Sequence, residues 1–372
     1  MNKRTFLISA FLFFMILIPV TINSAGNSNI GYLDTTNSSG FYEDVVVGTN
    51  YVYLAQDGVN DAGLVIISIN DHGYPTIIGK GIRDSGDSVH CVSVNSAETV
   101  AVIGASSKLY IYNITNKSNP IRTDVITIGS TVYDVQIVGD LAYLAAFSTG
   151  LPVVNISDIN NGTIIFNGKY PSYNDHWMQG LYVDTSRNLI YGAGGGDIII
   201  FQINSSKLPD NPAYLSLTSG TTYSVSKIDD NKITIGDGNG NVYLINIQNP
   251  NSPSLISSSK VSDSIIYELV YSGNNFILLA DYAYGLIVSN IGYGTPVIFK
   301  KMLPSYNGYG LAIKNNFVLI AGGSYGLYIY SYSDCVTNYS SINIPGFTLF
   351  YIILPILAVA PIVIYRNHKR KF

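Results

Sequence analysis

Helix-favouring patterns and charged residues are both scarce in this sequence. No long run of Glu, Lys, Ala and Leu recurs at helical spacing, and only 12% of the 372 residues are charged. The chain instead contains 30 Tyr and 35 Gly, together with many Ile, Val and Thr residues. Because β-branched and aromatic residues favour strands and Gly favours turns, the composition predicts an all-β protein.

Cysteines and paired metal ligands are also few. The two cysteines, Cys91 and Cys335, cannot form a disulfide framework, and the pair does not resemble a zinc site. Cys91 lies in an apolar alternation, which predicts a buried core residue. The four His residues show neither His-x-His nor HExxH spacing, and there is no GxSxG motif, supported Cys-His arrangement or phosphate loop. The sequence therefore predicts no cofactor and no enzyme.

One segment resembles the start of a calcium loop. Residues 237–241, DGNGN, have its Asp-x-Asn-x-Asn spacing, but Val242 replaces the next glycine and Gln248 the bidentate Glu. The segment also lies between two predicted strands, which favours a hairpin turn. Residues 84–88, DSGDS, are open to the same two interpretations.

The N-terminus has the pattern of a secretory signal peptide. Lys3 and Arg4 precede an apolar stretch at 6–20, and small residues follow at Ser24 and Ala25. We predict a signal peptide at residues 1–25, with an uncleaved N-terminal anchor as the alternative.

The C-terminus has the pattern of a membrane anchor. Residues 344–365 carry no charge and are about as long as a membrane-spanning helix, and residues 366–372 are basic. We predict a linker at 334–343, a transmembrane helix at 344–365 and a cytoplasmic tail at 366–372. Residues 26–333 are then extracellular, on the outer face of the cell membrane.

The start of this anchor, Pro345-Gly346-Phe347, with the apolar span and short basic tail, resembles archaeal surface-sorting tails of the PGF type. That resemblance implies that the tail is clipped and replaced by a lipid. A plain single-pass anchor is the alternative.

The predicted extracellular region is acidic. Together with the linker it spans residues 26–343, which hold all 24 Asp and Glu residues but only 14 of the 20 Lys and Arg residues, so the net charge is about −10. An acidic surface repels phosphate backbones, which excludes nucleic acid as the expected partner.

The middle of the chain repeats a unit of 41 to 49 residues seven times. Equivalent positions in the second predicted strand are Tyr53, Val102, Tyr143, Tyr191, Thr234, Leu278 and Leu319. Each unit carries four strand signals; in the third they lie at 133–138, 141–146, 151–157 and 163–168. A four-stranded meander cannot bury both faces alone, so the repeat predicts a seven-bladed β-propeller. A parallel β-helix is the structural alternative.

The two ends of the repeat region predict how the propeller closes. Unit seven has strands at 309–314, 317–322 and 326–332 but no fourth strand, whereas residues 29–34 resemble an unpaired fourth strand. An N-terminal strand that completes the last blade would close the ring and remove an exposed edge.

The segments AYLAAFSTGLPVVNIS (142–157) and LADYAYGLIVSNIG (279–292) resemble repeats of the LVIVD family. The similarity covers residues 29–333, with Asn155 and Asn246 where the family has Asp. The resemblance implies a propeller on a cell surface and concerns packing and turns rather than chemistry. It implies no activity.

The starts of the inner strands predict a binding site at one mouth of the channel. Five tyrosines fall at or within one position of a shared column, and an aromatic stands nearest it in the other two units. They are Tyr42, Tyr133, Tyr223, Tyr267 and Tyr309, with His90 and Trp177. Polar neighbours are Glu43, Asp44, Asp134, Asp175, His176 and Glu268. Aromatic rings with acidic neighbours suit a glycan, a peptide or a neighbouring surface protein. The alternative is that the tyrosines only fill space between blades.

Two other functions remain open. Glu43, Asp44, Asp134 or Glu268 could supply a general acid and base, because clustered carboxylates raise one another's pKa, which would suit an extracellular hydrolase or lyase acting on polysaccharide. Acidic residues at strand ends are more often solvated caps of loops. A structural surface-layer component without a ligand is the third possibility.

Acceptor sequons predict glycosylation of an exported chain. The candidates are Asn37, Asn113, Asn116, Asn161, Asn204 and Asn338, with Asn155 doubtful because it lies in a predicted strand.

Overall fold

The computed structural model describes residues 29–34, 40–58, 63–168, 177–217, 220–302 and 307–336. The predicted signal peptide at 1–25, the predicted transmembrane helix at 344–365 and the basic tail at 366–372 lie outside these residues. Within them, no helix is long and apolar enough to cross a membrane.

The described strands form seven antiparallel sheets of four strands, one for each predicted blade. Blade 1 contains β2 (Gly40–Val47), β3 (Val52–Gly58), β4 (Gly63–Ile69) and β5 (Pro75–Ile82). Blade 2 contains β6 (Val89–Val94), β7 (Val100–Ala105), β8 (Lys108–Asn113) and β9 (Ile121–Thr127). Blade 3 contains β10 (Asp134–Val138), β11 (Leu141–Ala145), β12 (Leu151–Asn155) and β13 (Thr163–Gly168). Blade 4 contains β14 (Gly180–Asp184), β15 (Leu189–Gly194), β16 (Asp197–Ile203) and β17 (Pro209–Ser216).

The last three blades follow the same order. Blade 5 contains β18 (Thr222–Asp229), β19 (Lys232–Asp237), β20 (Asn241–Asn246) and β21 (Ser254–Lys260). Blade 6 contains β22 (Ile266–Gly273), β23 (Phe276–Asp281), β24 (Gly285–Asn290) and β25 (Val297–Met302). Blade 7 contains β26 (Gly310–Lys314), β27 (Phe317–Ala321), β28 (Leu327–Ser331) and β1 (Asn29–Leu33). The predicted seven-bladed propeller is confirmed.

The predicted closure is confirmed as well. Strand β1 pairs antiparallel with β28, with Tyr32 opposite Tyr328 and Leu33 opposite Leu327. The first and last strands of the propeller therefore share one sheet, and that sheet links the two ends of the chain.

The apolar residues form seven clusters, one at each interface between adjacent blades. In one of them Val102 of blade 2 packs with Leu144 of blade 3, and in another Leu319 of blade 7 packs with Leu54 of blade 1. Burying one such side chain stabilises the fold by about 1.5–3 kcal/mol. The repeat exists because each blade buries its faces only against its neighbours.

Both cysteines are free and buried, as predicted for Cys91. Cys335 lies in a short helix, α1 (Tyr332–Val336), which follows β28 where the predicted linker begins. Cys335 packs into the cluster between blades 6 and 7, and the Tyr332 hydroxyl donates to the Ser272 carbonyl at 2.7 Å. These contacts hold the first residues of the predicted linker against the propeller.

Candidate binding site at one mouth of the propeller

One residue at the start of each inner strand lies outside the regular register of its sheet. In blade 1, Tyr42 pairs with Gln56 and Asp44 with Ala55, so Glu43 has no partner in register. His90, Tyr223 and Tyr267 occupy the same place in blades 2, 5 and 6. In blades 3, 4 and 7, Tyr133, Gln179 and Tyr309 each donate their backbone N–H to the carbonyl oxygen of an alanine in the second strand of their own blade. In each case that alanine also pairs with the residue that follows the donor. We call these residues the mouth ring: Glu43, His90, Tyr133, Gln179, Tyr223, Tyr267 and Tyr309.

Side chains of the mouth ring meet one another from blade to blade. The Tyr223 and Tyr267 rings lie 5.5 Å apart between centroids, and those of Tyr267 and Tyr309 lie 5.0 Å apart. His90 and Tyr133 approach to 5.3 Å. Because a residue that leaves the register re-aims its side chain, as in a β-bulge, these residues turn from the blade faces towards one mouth of the channel. The structure thus brings together the predicted His90, Tyr133, Tyr223, Tyr267 and Tyr309.

Loop residues widen this aromatic surface. Phe147 stacks on Trp177 at 4.8 Å and contacts the edge of Tyr133 at 5.8 Å. On the other side, Phe41 lies 4.9 Å from Tyr309, and Tyr282 lies 6.0 Å from Tyr267. Sequence reasoning missed Phe41, Phe147 and Tyr282. Phe147 and Tyr282 follow the second strand of their blades, and Phe41 lies near the start of β2. These positions become informative only when the arrangement of the blades is known.

The prediction that Tyr42 lines the mouth is wrong. Its side chain is fully buried in the cluster between blades 7 and 1. Val132 and Ile266, which also precede a mouth-ring residue, are buried in the same way. The bulge puts the following residue at the mouth, so Glu43 takes the position that we assigned to Tyr42.

Below the mouth ring, acidic side chains tie three of the blades to the blade that follows. A carboxylate oxygen of Asp44 accepts the N–H of Val92 at 2.9 Å. Asp134 accepts the N–H of Leu181 at 2.8 Å, and Glu268 accepts that of Leu311 at 2.5 Å. Inner strands are sheet edges, whose N–H groups need acceptors from outside the sheet. These three carboxylates are thus not solvated caps of loops.

A second tier repeats this arrangement two residues further along the strands. The Gln136 side-chain oxygen accepts the N–H of Val183 at 2.7 Å, and the Ser93 hydroxyl oxygen accepts that of Ile137 at 3.0 Å. Side chains of one inner strand therefore satisfy the backbone of the next one around the channel.

Burial shifts the pKa of these acids upward, whereas we had expected mutual repulsion between clustered carboxylates to be the cause. It raises the pKa of Asp44 to about 7 and that of Asp134 to about 6, against the lowering effect of the backbone N–H groups. Burial, followed by repulsion from Asp44, raises the pKa of Glu268 well above its usual range. Burial and then Asp57 and Asp44 raise the pKa of Glu43 to about 8. Burial lowers the pKa of His90.

Two predicted residues are not placed. His176, with the neighbouring Asp175, lies in 169–176, outside the described residues. Trp177 is described and is 47% exposed at the mouth, but it belongs to the loop before β14 rather than to the mouth ring. In the described part of the chain, no three His, Cys, Asp or Glu side chains come close enough to hold a metal ion.

The calcium-like segment is a hairpin turn, as we favoured. Asp237 is fully buried, and one of its carboxylate oxygens accepts the N–H groups of Asn239 and Asn241. The other oxygen accepts the hydroxyl of Tyr243 at 2.9 Å. In the second segment, Asp84 lies between β5 and β6 and forms an ion pair with Arg122 of β9 at 2.7 Å.

Turn chemistry explains where several sequons fall. The side-chain oxygens of Asn113, Asn155 and Asn204 accept the N–H of the residue two positions on, in the turn after the third strand. Asn246 and Asn290 make the same turn without a sequon. The repeat therefore produces Asn-x-Ser/Thr as a by-product of its turns, and glycosylation stays a prediction for Asn113, Asn116, Asn161 and Asn204. Asn37 and Asn338 lie outside the described residues.

Solved structures resemble this chain in fold. No protein-family model matches it. No curated protein sequence matches it either. The WD40 β-propeller domain of Doa1 is 13% identical, with a TM-score of 0.59, and the match covers 79% of this chain and 96% of that one. The β-propeller domain of Cps50 (Swd1) from Myceliophteria thermophila is 12% identical, with a TM-score of 0.63, covering 78% and 96%. The computationally designed Ika8 protein is 13% identical, with a TM-score of 0.54, covering 82% and 99%. At these identities the similarity establishes a β-propeller fold.

Proposed function

We propose that this protein is a non-enzymatic binding module that recognises a glycan, a peptide or a neighbouring protein at the mouth ring. It is displayed on the outer face of the cell membrane, and either the helix predicted at 344–365 or a lipid that replaces a PGF-like tail anchors it there. Its blades are degenerate copies of an LVIVD-like repeat. Because a propeller fold does not select an activity, the proposal depends on the site.

The observation that carries the proposal is the residue that leaves the regular register at the start of each inner strand, through a bulge in blades 1, 2, 5 and 6 and through a shared alanine acceptor in blades 3, 4 and 7. Such a departure interrupts the ladder, and a packing role alone would not require one in every blade. Four ring positions hold tyrosine, whose flat face and polar tip suit sugars and peptides. The mouth therefore combines apolar area with hydrogen-bonding groups, as binding sites do.

The hydrolase alternative is less well supported by the geometry. Asp44 and Asp134 each use one carboxylate oxygen for their own strand and the other for the next blade. A general acid or base must reach a proton on the substrate, whereas these carboxylates face the channel wall. Their arrangement favours a structural role.

The test is a binding screen of the full chain against a glycan array and extracts of the source cell's envelope. We expect a specific ligand whose affinity falls at least about 30-fold when Tyr133, Tyr267 and Tyr309 are all replaced by Ala, because truncating central aromatic anchors costs about 2 kcal/mol or more. The matched control replaces Tyr74, Tyr214 and Tyr293, which are exposed away from the mouth, by Ala.

Thermal unfolding of each variant checks that the fold is retained. Equal binding by the mouth variant and the unaltered chain would move the site elsewhere and contradict the proposal. The absence of any ligand would favour the structural surface-layer alternative.

A further inference from the structure

Glu43 is the one acidic residue of the mouth ring, and its carboxylate is unusual. Among the described residues it has no hydrogen-bond or ion-pair partner, although Asp44 and Asp57 lie near enough to repel it. Asp57, by contrast, is held by Arg83 at 2.7 Å. A half-buried carboxylate without a cation is costly to ionise, and a cation bound beside it would offset that cost and favour the ionised form.

An aromatic wall stands beside this carboxylate. Tyr267 and Tyr309 stack at 5.0 Å, and Tyr282 meets both rings edge-on, at 6.0 and 5.9 Å. Glu43 and Tyr309 stand at the starts of neighbouring inner strands, because a Cβ atom on Gly310 would lie 2.6 Å from the Cα of Asp44. Burial raises the pKa of Tyr267 and Tyr309, and the charge of Glu43 adds to both shifts. Ring faces attract cations through their quadrupole, and a nearby carboxylate strengthens that preference.

The channel below the mouth ring also contains acidic residues. Asp44, Asp134 and Glu268 line it, and no described Lys or Arg forms an ion pair with any of them. Ser224, which directly follows Tyr223 of the mouth ring, is 6% exposed. Its hydroxyl has no hydrogen-bond partner among the described residues. A cation that enters here meets no competing ion pair of these acids with a described Lys or Arg.

We propose that the mouth binds an organic cation, an ammonium or guanidinium group, with Glu43 as its counter-ion and Tyr267, Tyr282 and Tyr309 as its aromatic wall. The inference rests on the proposed function and names the chemistry of the group recognised at that site. The cation has two sources: a Lys or Arg side chain of a peptide or protein, or a free polyamine.

Binding to the full chain can be followed by the fluorescence of Trp177, the single tryptophan of the sequence, which lies at the mouth. The cationic probes are N-acetyl-arginine amide, N-acetyl-lysine amide and spermidine. The neutral isosteres of the first two are N-acetyl-citrulline amide and N-acetyl-norleucine amide. We expect the cationic probes to bind at least about 10-fold more tightly than their isosteres. Tighter binding by the capped amino acids indicates a protein source, and tighter binding by spermidine indicates a free amine.

The decisive variant is Glu43→Gln, which keeps the shape of the side chain and removes its charge. It should weaken the cationic probes about 10-fold and leave the neutral isosteres unchanged. Asp71→Asn, an exposed change in the turn between β4 and β5, is the control and should leave both unchanged. Equal affinities for charged and neutral probes, no binding by any cationic probe, or an unaltered affinity in Glu43→Gln would each overturn the inference.

The proposed function is judged separately by the triple tyrosine variant. If an envelope ligand binds the Glu43→Gln variant but not the triple tyrosine variant, the proposed binding function is supported and the inference of an organic cation is contradicted. An envelope ligand retained in the triple variant would remove both proposals.

Discussion

Replacing Gly31 by valine is expected to lower the free energy of unfolding by about 3 kcal/mol, because overpacking costs about 1–3 kcal/mol and the obstacle here is backbone. Gly31 lies in the closing strand β1, opposite Ile329. A Cβ atom at this position would stand 2.0 Å from the carbonyl oxygen of Gly73, in a turn of blade 1. Strand β1 must then leave either β28 or that turn, and both belong to the closure of the propeller.

Urea unfolding followed by circular dichroism measures this effect. The matched control is Tyr32→Val, which places the same side chain one residue along β1, where the native tyrosine is 45% exposed. It should cost about 1 kcal/mol, the order of one lost aromatic pair with Tyr328. Similar stabilities for the two variants would mean that the closing strand contributes little to the ring.

Between pH 5 and pH 8 the protein should become less stable as the pH rises. The folded state keeps Asp44, Asp134 and Glu268 protonated to higher pH than the unfolded chain does, because their folded-state pKa values are raised. Their contribution is complete below about pH 4 and is lost as the pH rises through 6 to 8. One unit of pKa corresponds to about 1.4 kcal/mol, so the loss amounts to several kcal/mol.

Other titrating groups at the mouth modify this profile. Glu43 acts in the same direction, since burial raises its pKa to about 8, and it faces Asp44, Asp57, Tyr267 and Tyr309. His90 acts in the opposite direction, because burial lowers its pKa and its protonation destabilises the fold at acid pH. The net slope should still be downward, because several carboxyl groups oppose one imidazole.

Asp44→Asn isolates the effect. The amide keeps an oxygen acceptor for the N–H of Val92 and removes the titration, so the loss of stability from pH 5 to pH 8 should shrink by at least about 1.4 kcal/mol, one unit of pKa. The control Asp71→Asn should leave the slope unchanged. Melting temperatures across this pH range supply the data, and an unchanged slope in Asp44→Asn would show that Asp44 is ionised throughout.

The blades could be predicted from sequence because their signals are local and repeated. The turn at Gly139 and Asp140 separates two strands whose bounds match β10 and β11 to within one residue. Residues 29–34 could be assigned to the last blade because they resemble other fourth strands and unit seven lacked one.

The mouth could be predicted only in part, because a bulge inserts one residue without disturbing the apolar alternation around it. Tyr42 and Glu43 are adjacent, and an aromatic column favours the tyrosine. The buried residues that precede the mouth ring elsewhere, such as Val132, place Tyr42 in the core. The contacts of Phe147 and Tyr282 join loops far apart in the chain, which strand signals do not connect.

The role of the acids was also missed. Asp44 follows Glu43, and Glu268 follows Tyr267, at the starts of inner strands, which suggested catalysis or solvated caps. Their partners, Val92 and Leu311, belong to the following blade. Only the closed propeller shows that a free strand edge needs an acceptor there.

The mouth-ring positions have a consequence for how such a protein can diversify. A residue at one of them has no partner in register, so its identity is not constrained by the ladder or by the interface between blades. Glu, His, Tyr and Gln already occupy this one position in seven otherwise similar blades. Selection can therefore change the binding surface at the mouth by single substitutions while the propeller fold is retained. Paralogues with the same fold can in this way acquire unrelated ligands.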